Sequence, residues 1–137
     1  MSGRPLSFNF DLSNLIKAAP IPLIVVAVWA LLRALGLSLG VLTSIVTLLI
    51  WLFCGAWYAR AVLQAGSQPG AINLALNGAI LGAVASVVED LVWWIGRNLR
   101  VGGVTLDVIG VLTSLVYVGI IVGVAAVAWY AYQTEKR

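Results

Sequence analysis

Residues 39–60 read LGVLTSIVTLLIWLFCGAWYAR, with no charged side chain before Arg60. An α-helix rises 1.5 Å per residue, so about 20 apolar residues cross roughly 30 Å of hydrocarbon. This stretch is long enough. Its apolar residues run continuously instead of alternating, which disfavours a spanning β-strand. It predicts a transmembrane helix.

The rest of the chain has the same character. Of 137 residues, 62% are hydrophobic and 9% charged, whereas soluble domains carry about 25% charged residues. Three more apolar spans cover residues 20–36, 71–99 and 104–132. The last two must tilt or project beyond the bilayer. The first is short unless it recruits Ala18 and Ala19. Pro20 and Pro22 suit a helix start, because proline lacks a donor that the first turn leaves free anyway. GSQPG (66–70) and RVGGV (100–104) are turns. The connection at 36–40 is so short that it should join antiparallel neighbours. The expected fold is an all-α integral membrane protein with four transmembrane helices in a bundle.

The opening stretch also has a partner further along. GVLTS begins at Gly40 and again at Gly110. Before it, the pattern VWxxxRxL occurs at Val28, Trp29, Arg33 and Leu35, then at Val92, Trp93, Arg97 and Leu99. After it, WYA occurs at Trp57–Ala59 and at Trp129–Ala131. Three collinear matches indicate a duplicated helical hairpin. Each unit holds two spans, so both enter the membrane in the same direction, as parallel repeats. The expected organisation is an N-terminal interfacial segment (1–19), transmembrane hairpin 1 (20–65), a turn (66–70), and hairpin 2 with a short polar tail (71–137). In the first segment, Leu12, Leu15, Ile16 and Ala19 share a helical face, Phe8 and Phe10 precede it, and Asp11 is a candidate N-cap. An interfacial helix and an extension of the first span are both compatible with that pattern.

Charge and composition exclude several classes. The net charge of +3 comes from scattered Lys and Arg, with no basic cluster to track phosphates, so nucleic acid is not an expected partner. Arg4, Lys17, Arg60, Lys136 and Arg137 fall on one side, and Arg33, Arg97 and Arg100 on the other. That excess places both termini in the cytoplasm, with a prokaryotic plasma membrane as the expected location. Asp11 and Lys17 precede the apolar run and no small-residue cleavage site follows it, so the start reads as retained rather than as a secretory signal. Cys54 is the only cysteine and there is no histidine. An intrachain disulfide, His-ligated haem and Ser-His-Asp chemistry are excluded. No phosphate loop, metal-spaced cluster or nucleophile with a partner base is present. Neither enzymatic activity nor a cofactor or metal is expected.

The residues with most chemistry are Glu89 and Asp90, in SVVEDLVWW. A charge inside the apolar layer costs several kcal/mol, about 2.5 to 3.5 on insertion scales. The matching residues of the first unit are Val25 and Val26. At 100° per residue, Gly78, Gly82, Ser86, Glu89, Trp93 and Arg97 share one stripe. Small residues at that spacing allow close helix–helix approach. Glu89 therefore faces a helix contact, with Asp90 at its edge. Either the acids form an ion or proton site, or they pair near the interface with Arg97 or Arg33. Asn73 and Asn77 are candidates to line a polar path, or to make interhelical hydrogen bonds. Thr43-Ser44 and Thr113-Ser114 are candidates for a symmetric polar site, or for back-bonding to the preceding turn. Gly119 and Gly123 form a second GxxxG, available to a neighbouring chain or to a helix of this one. Trp51 and Tyr117, near mid-span, read as packing.

The size and four-span layout resemble the small multidrug-resistance transporters in architecture alone. Those proteins have an essential Glu in the first span, and PIPLIVVAVWALLRALG (20–36) contains no acid. Expected function falls into two classes. One is a non-catalytic structural or assembly subunit, or an oligomeric packing scaffold, whose partners are the bilayer and either further copies or other membrane subunits. The other is a small ion- or proton-coupled transporter or channel using Glu89 and Asp90.

Overall fold

A computed structural model describes residues 9–135, which form five helices and no strand. These are α1 (Leu12–Ala18), α2 (Pro20–Ala34), α3 (Val41–Gln64), α4 (Ala71–Arg100) and α5 (Val108–Glu135). Arg4, Phe8, Lys136 and Arg137 lie outside the described residues. Three helices, α3, α4 and α5, are long and apolar enough to cross a membrane. A fourth candidate exists if α1 and α2 count as one span, bent by 47°. With 15 residues, α2 is about 22 Å long at 1.5 Å per residue, which falls short alone.

The bend follows from the prolines. Ala19 keeps helical angles, and its N–H donates to Leu15 O at 2.8 Å. Pro20 and Pro22 then remove two donors from the ladder, and their rings press on the preceding turn. The prolines thus mark a bend within helical chain. Nor is α1 a free surface helix. Leu15 and Ala18 are buried in a cluster with Tyr58, Val62, Leu74 and Ala126.

The two GVLTS copies start their helices differently. Gly40 is the N-cap of α3 at φ +63° and ψ −131°, a region that glycine enters freely and that costs a residue with a Cβ about 1–3 kcal/mol. Thr43 Oγ1 accepts from Leu39 N at 3.0 Å. Gly110 instead lies inside the first turn of α5, where its N–H donates to Asp107 Oδ1 at 3.1 Å.

The most extensive pairing is α4 with α5, and glycines explain it. A Cβ on Gly123 would sit 2.5 Å from Ala75 O, and one on Gly82 would sit 2.7 Å from Val122 Cβ. A Cβ on Gly78 would lie 3.1 Å from Gly123 Cα, and one on Gly119 3.1 Å from Ala79 O. The two GxxxG stripes thus face each other within the chain. Farther along, α3 rests on α5 through Gly55, and α2 rests on α4, where Gly96 meets Ala34. Although joined by a short connection, α2 and α3 touch only sparsely. The buried face of α2, with Val26, Ala30 and Ala34, is turned toward α4. A second buried cluster holds Val26, Cys54, Ala85, Val118 and Val122. Outside, α3 exposes Ile45, Leu48, Leu49 and Leu52, and α5 exposes Leu112, Val116, Ile120 and Val124.

Candidate functional site

Beyond the glycine contact on α4, the same stripe reaches Ser86 and then Glu89. Ser86 Oγ lies 2.8 Å from Ser114 Oγ of α5. Glu89, only 7% exposed, turns into the space between α2 and α3. Arg33 Nη2 of α2 donates to Glu89 Oε2 at 2.5 Å. Trp51 Nε1 of α3 donates to Glu89 Oε1 at 3.0 Å. Both carboxylate oxygens therefore have a partner, each from a different helix.

The surroundings extend the network. The Arg33 guanidinium lies 6.0 Å from the Trp29 ring centre. Trp29 Nε1 donates to Thr47 Oγ1 at 2.9 Å, and Thr47 Oγ1 donates to Thr43 O at 2.8 Å. Arg33 Nε is buried without a hydrogen-bond partner. A recess of about 450 Å³ adjoins the pair, lined by Arg33, Thr43, Ser44, Thr47, Trp51 and Glu89 together with Leu48, Tyr117 and Ile121. The threonine–serine pairs do not meet as a symmetric site. Thr113 Oγ1 donates back to Ile109 O at 2.9 Å, while Ser114 faces Ser86.

Asp90 points elsewhere. Its Oδ2 is buried without a hydrogen-bond partner. With Trp93, Trp94, Thr105 and Asp107 it lines a separate recess of about 210 Å³. Arg97 is not a partner of Glu89. Its Nη1 lies 3.5 Å from Ala34 O, where the carbonyl end of α2 attracts a cation.

Asn73 and Asn77 do come together, but around the N-terminal segment rather than an open path. Asn77 is fully buried. Its Oδ1 accepts from Asp11 N at 2.9 Å, and its Nδ2 donates to Asn9 O and Asn73 O, each at 2.9 Å. Asn73 Oδ1 accepts from Asn9 N at 2.7 Å. Asp11 caps α1 through Asn14 N and accepts from Tyr58 OH at 2.9 Å. The three asparagine contacts to residues 9–11 hold that segment to α4.

Trp51 as a carboxylate donor, Tyr58 as a partner of Asp11, and Asp107 lining the same recess as Asp90 were not read from the sequence. Each pairing joins different helices or a helix to a distant loop, so no local spacing signals it. Among the described residues, no group of three or more His, Cys, Asp or Glu converges as metal ligands do. No protein-family model, curated protein or solved structure matches this chain.

Proposed function

We propose that this chain is an integral membrane protein without catalytic activity, a structural or assembly subunit that acts through helix packing. The observation that carries the reading is the double engagement of Glu89 by Arg33 and Trp51. A transport carboxylate must release and rebind its ion, whereas this one would have to break two internal bonds first. A buried pair of this kind is best suited to fixing register, since α2 and α3 are each tied to one point on α4. In this reading α1 and α2 form one bent span, giving four crossings and a bundle of two parallel hairpins. Support for the repeat comes from the like-with-like contacts of α2 on α4 and α3 on α5. The hairpins are packed unequally, because the glycine stripes belong only to the second.

Both termini then lie on the side of Lys17 and Arg60, the cytoplasmic side by the excess of basic residues, in a prokaryotic plasma membrane. The partners are the bilayer and either further copies or other membrane subunits. With both glycine stripes engaged inside the chain, a second chain would meet the exposed apolar rows of α3 and α5.

A second reading, transport or a channel, is favoured by the recess beside Glu89 and by the unpartnered oxygen of Asp90. Proteoliposomes separate the two. The subunit reading expects ion and proton fluxes unchanged by Glu89→Gln and Asp90→Asn, with Glu89→Gln lowering thermal stability in detergent. A flux that either substitution abolishes in a still-folded protein overturns it in favour of transport. Native mass spectrometry of the detergent-extracted protein reads stoichiometry and co-purifying subunits directly.

A further inference from the structure

The bend between α1 and α2 leaves a notch against the last turns of α3. This recess of about 210 Å³ is lined by Lys17, Ile21, Trp57, Arg60 and Gln64, with Ala61 and Ala65 behind them. Its two cations come from different helices and converge on one space, and no carboxylate is among the lining residues. Asp11, the N-cap of α1, is taken by Tyr58 and Asn14. Among the described residues the one ion pair is Arg33 with Glu89, so neither cation of the notch is neutralised by a carboxylate. The Arg60 guanidinium is held 4.5 Å from the Trp57 ring centre, a stacking that orders it at low entropic cost. Gln64 adds amide donors. On its other side the notch is closed by Ile21 and the Trp57 ring, continuous with the exposed apolar surface of α2 at Ile24 and Val28.

An occupant must therefore be anionic and hydrogen-bonding at one end and apolar at the other. We propose that this notch binds the headgroup of an anionic phospholipid, with an acyl chain lying along α2. Phosphate oxygens accept from Lys17, Arg60 and Gln64, and the Trp57 ring lies at the headgroup level that such rings favour. The site rests on the membrane reading and adds to it a lipid that would cement α1 to α3.

The test titrates the delipidated full chain in detergent with phosphatidylglycerol or phosphatidylcholine and counts bound lipid by native mass spectrometry. Expected is preferential retention of phosphatidylglycerol. Lys17→Gln and Arg60→Gln should each weaken it about fivefold, Lys17→Arg should restore it, and Arg100→Gln should leave it unchanged. Equal binding of the two lipids, or a phosphatidylglycerol preference that survives Lys17→Gln with Arg60→Gln, overturns the site. Displacement of the lipid by inorganic phosphate at millimolar concentration would assign the notch to free phosphate and overturn it as a lipid site. Circular dichroism checks that each variant is folded. The membrane reading fails by a different measurement, release of the chain from membranes by alkaline carbonate without detergent.

Discussion

At Glu89 one carboxylate joins three helices, and the consequences of removing a partner can be stated. Arg33→Met leaves a buried carboxylate with only the Trp51 donor, and the loss of one member of a buried pair costs about 3–5 kcal/mol. The apolar double variant Arg33→Met with Glu89→Leu leaves no buried charge and should recover most of that loss. Thermal unfolding in detergent of the wild type, both single variants and the double variant measures the coupling. A double variant as unstable as the two losses summed would mean that the pair is not a lock. Trp51→Phe removes one hydrogen bond and should cost about 1 kcal/mol. The stripe of Gly82, Ser86 and Glu89 was legible in the sequence because helical spacing is local. Which arginine meets Glu89 was not. Arg33 and Arg97 stood as equal candidates until the packing of α2 on α4 brought Arg33 across 56 positions of chain.

Among the elements, the α4–α5 contact depends on missing side chains. Gly123→Ala would place a Cβ 2.5 Å from Ala75 O, a backbone atom that cannot swing aside. Overpacking of this kind typically costs about 1–3 kcal/mol. Gly119→Ala, at 3.1 Å from Ala79 O, should cost less. Gly40→Ala meets nothing within 4 Å, so its cost is backbone strain alone, about 1–3 kcal/mol. Unfolding midpoints for the three variants should therefore put Gly119→Ala closer to wild type than Gly123→Ala. The reverse order would argue against the backbone approach seen here. Asn77→Ala removes the anchor of residues 9–11 and should expose the start of α1 to limited proteolysis, while the wild type resists. The sequence announced both GxxxG motifs but not that they face each other, since two stripes of small residues fit any flat partner equally well. It announced Pro20 as a helix start, which α2 has, but not that α1 meets α2 there at a bend of 47°. Proline stops the hydrogen-bond ladder, yet α1 stays helical because Asp11 caps it and Leu15 and Ala18 are buried beneath it.

Across the whole molecule, apolar length was the readable quantity. Uninterrupted runs gave α3, α4 and α5 nearly to their ends, because such runs have only a helical solution in lipid. Pairing was less readable. The repeated GVLTS and WYA motifs raise the expectation of two like hairpins, whereas the glycine stripes of α4 and α5 make those two helices close neighbours and α2 leans on α4. The number of crossings turns on α1 and α2, and it decides where the ends of the chain lie. With Cys54 replaced by Ala, single cysteines at Ser13, Gln68 and Thr105 can be labelled with a membrane-impermeant maleimide in spheroplasts and in inverted vesicles. Four crossings predict that Ser13 and Gln68 react from the same face and Thr105 from the opposite one. Labelling of Ser13 from the face of Thr105 would contradict the four-span membrane subunit, because α1 and α2 would then not cross.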